Sequence, residues 1–128
     1  MKIAALALLA IATAAHAQTV TVPQASTYAV ALAWTGPASC TTAFPCTYAV
    51  YRVPGTVTIT AGTTGATLVG TTASQIVTFT DNTVTPGNVY SYAIETVQGG
   101  ANSVPSATVT VTIPLAVPAP TGLTGSVT

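Results

Sequence analysis

Charge is what this chain lacks. Its 128 residues hold two Lys or Arg, two Asp or Glu and one His, so 3% of the sequence is charged. The five are Lys2, His16, Arg52, Asp81 and Glu95. Soluble designs carry roughly a quarter to a third of charged residues on their surface. Here Thr, Ser, Gly, Asn and Gln must hydrate the outside instead. Without a basic patch the chain cannot bind nucleic acid by neutralising phosphates, and it has no polybasic handle for anionic lipid. Chemistry is equally short of means. Ser and Cys nucleophiles need a base, and the one His stands at position 16. Asp81 and Glu95 are the only carboxylates a glycosidase pair could use, and two are too few for calcium, which takes six to eight oxygens. Gly99-Gly100 opens no helix and is a turn, not a phosphate cradle. The sequence therefore assigns no catalytic, cofactor-binding or metal-binding residue.

The start of the chain reads as an export signal, residues 1–17. Lys2 precedes an apolar run of 13 residues, Ile3 to Ala15, and Ala15-His16-Ala17 gives the small-x-small cleavage pattern. A membrane anchor needs about 20 apolar residues, so the run is too short to span. No Cys near the cleavage point and no Arg pair point to the general export route, with Gln18 as the new N-terminus. Cleavage after Ala17 predicts a secreted, extracellular or periplasmic protein with no membrane span. It removes Lys2 and His16 and leaves 111 residues with a formal charge of −1. That is one domain, burying a little under 70% of its unfolded surface. Cys40 and Cys46 should be oxidised in such a compartment. Five residues lie between them, so the bridge closes a small loop worth about 2–3 kcal/mol. A redox or zinc motif has a different spacing.

Thr and Val alternate along the chain with turn signals between, which predicts an all-β fold. Residues 18–24 alternate Val20 and Val22 with Thr19 and Thr21 and carry Pro23, the expected form of a short edge strand. Residues 28–35 place Val30, Leu32 and Trp34 on one face and Ala29, Ala31 and Ala33 on the other. Residues 47–53 place Tyr48, Val50 and Arg52 on one face and Ala49, Tyr51 and Val53 on the other. Residues 56–60 alternate weakly. Residues 67–71 and 75–80 follow, the latter with Val77 and Phe79 inward. Residues 89–97 place Tyr90, Tyr92 and Ile94 together, 98–102 make a tight loop, and 107–113 close the domain. About seven short strands in this pattern describe a two-sheet sandwich over 18–113.

These segments carry a resemblance. Leu32-Ala33-Trp34, then Tyr48-Ala49-Val50-Tyr51-Arg52, Phe79-Thr80-Asp81, Val84-x-Pro86-Gly87-x-x-Tyr90-x-Tyr92-x-Ile94 and Ser103-Val104-Pro105-Ser106 resemble, in order and spacing, the fibronectin type III family. The resemblance covers about Tyr28 to Ile113 and implies a seven-stranded antiparallel immunoglobulin-like β-sandwich. It implies a structural core of Trp34, Tyr48, Phe79, Pro86, Tyr90 and Tyr92, with Tyr90 as a tyrosine corner. The bridged Cys40–Cys46 loop and a long 54–66 connection depart from the family, and its adhesive Arg-Gly-Asp tripeptide is missing. The family's opening, Pro-x-x-Leu-like, is weak at 18–24 and stands instead at Pro120-Thr121-Gly122-Leu123. It follows a proline-rich linker, so residues 114–128 read as linker plus strand-like tail, the start of a second domain.

Without chemistry, binding remains. The expected role is a non-catalytic module for adhesion, spacing or attachment to a protein or carbohydrate surface. Phe44 on the bridged loop and Tyr51 on an outer face are the candidate contacts. The alternative is a self-assembling subunit, a filament or surface layer, in which residues 120–128 add as a strand to a neighbouring copy through Leu123 and Val127. Asp81 is expected to cap the turn after its strand, and Glu95 to be solvated.

Overall fold

The computed structural model describes residues 27–128, so the signal expected at 1–17 and the edge strand expected at 18–24 lie outside the described residues. In chain order the strands are β1 (Val30–Ala33), β2 (Thr47–Pro54), β3 (Thr67–Thr71), β4 (Thr78–Asp81), β5 (Val89–Gln98), β6 (Ala101–Asn102) and β7 (Val109–Thr112). All pairings are antiparallel, and no helix occurs among the described residues. β1 pairs with β4, setting Val30 opposite Asp81 and Leu32 opposite Phe79. The second sheet runs β3-β2-β5, and β6 and β7 share the far edge of β5.

Alternation puts apolar side chains between the sheets. Val30 of the first sheet meets Val50, Tyr90 and Tyr92 of the second, and Val84 and Ile113 close one end. Leu32, Trp34 and Phe79 pack against this cluster from its rim. Two facing sheets over one core make a β-sandwich. Tyr48 and Tyr92 are among its largest fully buried side chains. Trp34 is half-buried and meets Tyr48 edge to face, ring centroids 5.3 Å apart. The corner before β5 is built as its residues require. Pro86 presets the turn, Gly87 takes φ +81°, and the Asn88 N–H donates to the Thr85 carbonyl. The Tyr90 hydroxyl then accepts the Thr85 N–H at 3.2 Å, tying the strand back to the corner.

Six of the seven strands fall where alternation marked them; three segments differ, each for a local reason. Residues 56–60 form no strand. They cross the outer face of the larger sheet, where the Val57 N–H donates to Ser91 Oγ and the Ile59 N–H to Thr108 Oγ1. Side-chain hydroxyls replace strand partners, and Ile59 is buried against Val53 and Ala93. β4 begins later than expected because Gln75 adopts a left-handed φ of 64°. Its N–H donates to the Cys46 carbonyl and its Oε1 accepts the Cys46 N–H, so one glutamine stands in for a paired strand residue. The last strand is split. Gly99 and Gly100, both at positive φ, make a two-residue hairpin that starts β6 inside the expected loop. Ser103 and Ser106 then interrupt the edge, their Oγ atoms accepting the Thr96 and Ile94 N–H groups while their own N–H groups donate back.

Gly70 of β3 lies directly under the Phe79 ring, where a Cβ would collide with ring atoms. Gly70→Ala should cost about 1–3 kcal/mol by overpacking, read from denaturant unfolding, while Gly125→Ala, in open space, should leave the midpoint unchanged.

Candidate interaction surface

The few ionisable side chains come first, because they decide what chemistry is on offer. Arg52 sits on the inner face of β2 and Asp81 ends β4, one from each sheet. Arg52 Nη1 donates to Asp81 Oδ2 at 2.7 Å and to Thr83 Oγ1 at 2.9 Å. The Tyr92 hydroxyl donates to the same Oδ2 at 2.8 Å. Oδ1 accepts the Thr83 N–H at 2.9 Å and the Thr83 hydroxyl at 2.6 Å. The guanidinium lies over the Tyr90 ring, 4.6 Å from its centroid. Asp81 is 2% exposed, and such a carboxylate stays ionised only when its oxygens are occupied. Burial raises its pKa, but the hydrogen bonds from Thr83, Tyr92 and Arg52 outweigh burial and hold it below the ordinary value. Burial, then the Asp81 carboxylate, pushes the Tyr92 phenol well above its ordinary value and keeps it a donor.

Asp81 does cap the turn as expected, and it also binds the one arginine, which was not anticipated. The signal was present: Arg52 shares a face with Tyr48 and Val50, and Asp81 follows the inward Phe79 at period two. An inward arginine needs a partner. Glu95, on the outer face, is half-buried rather than freely solvated. It accepts the Asn102 Nδ2–H at 2.9 Å. Tyr51 beside it is half-buried too, lining a cleft under the 59–66 segment, which corrects its reading as an open outer-face aromatic. Burial, then the Glu95 charge, pushes its phenol pKa up.

The bridged loop presents the one large exposed aromatic among the described residues. Cys40 and Cys46 are joined, Cα atoms 5.4 Å apart. Inside the loop the Thr41 and Phe44 backbones exchange N–H···O bonds of 3.0 and 3.1 Å. The Phe44 N–H also donates to Thr41 Oγ1. From β5, the Gln98 amide donates to the Ser39 and Phe44 carbonyls at 3.0 and 2.9 Å. All this fixes the backbone of a phenylalanine whose surface is 68% exposed. A rigid aromatic on a rigid loop loses little entropy on binding. Leu123 and Val127 lie in the tail, wholly exposed and far along the chain from this loop.

No group of three or more His, Cys, Asp or Glu gathers among the described residues. No helix of the described residues is long and apolar enough to cross a membrane. Compared with known proteins, the chain matches no family model and no curated protein.

The sign of the pH dependence follows from Asp81. Its folded pKa lies below the unfolded one, so the stability it confers is complete above the unfolded value and is lost as pH falls through the folded value. Unfolding midpoints should hold from neutral pH down to about pH 5 and fall below about pH 4. Asp81→Asn should lower stability by about 3 kcal/mol at neutral pH and flatten that acid decline.

Proposed function

We propose that the chain is an exported, non-catalytic binding module of the fibronectin type III kind. It attaches to a protein or carbohydrate surface through the Cys40–Cys46 loop, with Phe44 as the anchor. The observation that carries this reading is the held backbone beneath an exposed ring: a disulfide, two backbone hydrogen bonds and the Gln98 amide all act on one short loop. The charges support it from the other side. Arg52 and Asp81 spend their valence on each other across the sheets, which leaves Glu95 on an otherwise neutral exterior. A neutral, hydroxyl-rich surface with one projecting aromatic suits a module that holds or spaces other parts by contact. The order of the motifs from Leu32-Ala33-Trp34 to Ser103-Val104-Pro105-Ser106 supports the family, and the export signal at 1–17 supports the compartment.

Adsorption of the exported chain to insoluble cellulose, chitin and peptidoglycan, and to immobilised extracellular proteins, tests the reading. Phe44→Ala should weaken the adsorbed state roughly thirtyfold, as loss of an aromatic anchor does, with the unfolding midpoint unchanged. Equal adsorption by the variant, or no adsorption by the parent to any of these, contradicts it.

A further inference from the structure

Among the described residues, β1 has a strand partner on one side only. In an antiparallel pair, alternate residues exchange both backbone bonds. The Trp34 N–H donates to the Val77 carbonyl, so Trp34, Leu32 and Val30 turn their backbone groups toward β4. Ala31 and Ala33 turn theirs the other way, and among the described residues no strand pairs with β1 on that side. Beneath that edge the sheets part around two adjoining cavities of about 200 and 220 Å³. They share Trp34, Ile94 and Ser106; one reaches Tyr48 and the other Leu32 and Val109. The Trp34 Nε1–H is buried and has no acceptor among the described residues. Backbone groups without a partner among the described residues, over apolar hollows and beside a donor without an acceptor there, mark a place that one more strand would fill.

The tail at 120–128 alternates like a strand in sequence, but it forms none and pairs with no strand among the described residues. Leu123 and Val127 are 96% and 102% exposed. Spaced at period two with Gly125 between them, they fall on one face of an extended segment. No Asp, Glu, Lys, Arg or His occurs from 114 to 128, and none lines either cavity, so their union desolvates no charged side chain.

Direction decides whose edge the segment fills. β7 ends bonded to the corner: the Ile113 N–H donates to the Asn88 carbonyl and the Gly87 N–H to the Ile113 carbonyl. The tail therefore leaves at the corner end, where Val30 opens β1 opposite Asp81. A strand antiparallel to β1 enters at the opposite end, beside Trp34. We propose that residues Pro120–Thr128 of one molecule add antiparallel to β1 of a second copy, Leu123 filling the cavity at Tyr48, Val127 the one at Leu32, and Gly125 passing the Trp34 ring. Nine residues laid in such a groove bury on the order of 1,200 Å² over both sides, inside the range of stable interfaces. The contact is head-to-tail and uses different surfaces on the two molecules, so it propagates into open chains rather than closing as a dimer. It stands apart from the Phe44 reading, because neither the tail nor the β1 edge contains that loop.

Light scattering on the exported chain, from about 1 µM to about 1 mM, tests it. Mass should grow with concentration beyond a dimer. The Leu123→Asp/Val127→Asp variant, altered only at exposed tail positions, should need at least about tenfold more protein for the same mean mass. A synthetic peptide of residues 118–128 added to the isotope-labelled variant should shift the Trp34 indole N–H and slow exchange of the Ala31 and Ala33 amides. Three results would overturn the proposal. The variant associates like the parent; the parent stays monomeric throughout; or the Ala31 and Ala33 amides of the variant are already protected without peptide, because residues 18–24 of the same chain hold the edge.

Discussion

One carboxylate joins the two sheets. Asp81 belongs to the smaller sheet, and every charged or phenolic partner it has, Arg52 and Tyr92, belongs to the larger. A buried ion pair is by itself weak evidence of net stability, because desolvating both charges offsets much of their attraction. Its value here lies in being the only such pair among the described residues. With one guanidinium and one inward carboxylate in the domain, a single alignment of β4 against β2 and β5 satisfies both. A slip by one residue would turn Asp81 outward and leave the half-buried Arg52 without a counter-charge. The apolar alternation of Thr and Val is repetitive and would tolerate several registers; the ion pair does not. Thr83 and the Tyr90 corner sit on the same network, so the turn, the strand after it and the sheet alignment are fixed together.

Elsewhere hydroxyl groups do what charges do in other domains. Ser91 Oγ accepts the Val57 N–H and donates to the Gly55 carbonyl. Thr108 Oγ1 accepts the Ile59 N–H, and Ser103 and Ser106 complete the edge of β5. These are short side chains with little entropy to lose, so they satisfy backbone groups locally without long charged arms. The consequence is an exterior that is polar but almost without field. Such a surface gives no electrostatic steering; the binding roles proposed for the Phe44 loop and the β1 edge rest on shape and apolar contact.

Much of this was legible in the residues. Val30, Leu32, Tyr48, Val50, Tyr90 and Tyr92 declare their faces by alternation, and Pro86-Gly87 with Tyr90 declares the corner. The Cys pair declares the stiff loop. What escaped was where hydroxyl or amide side chains replaced strand partners. Thr56–Thr60 alternates like a strand, yet Ser91 and Thr108, distant in sequence, draw it across a face and cover Tyr51. Gln75 imitates a strand residue with its side chain, which alternation cannot express. Arg52 and Asp81 were visible separately; their meeting depended on pairing two sheets in space. The resemblance to fibronectin type III modules rests on the motif order, while the all-β, two-sheet architecture stands on the strands and their pairings.

The dependence of the whole arrangement on the Arg52–Asp81 pair is most directly measured by a double-mutant cycle, with Arg52→Met, Asp81→Asn and the two combined, unfolded in denaturant at neutral pH. Non-additivity is expected, a coupling of about 2–3 kcal/mol, because Arg52→Met strands the buried Asp81 carboxylate and Asp81→Asn the half-buried guanidinium, and the double change removes both. Single-variant losses that sum to the double-variant loss within about 0.5 kcal/mol would contradict it and leave the alignment of the sheets to apolar packing alone.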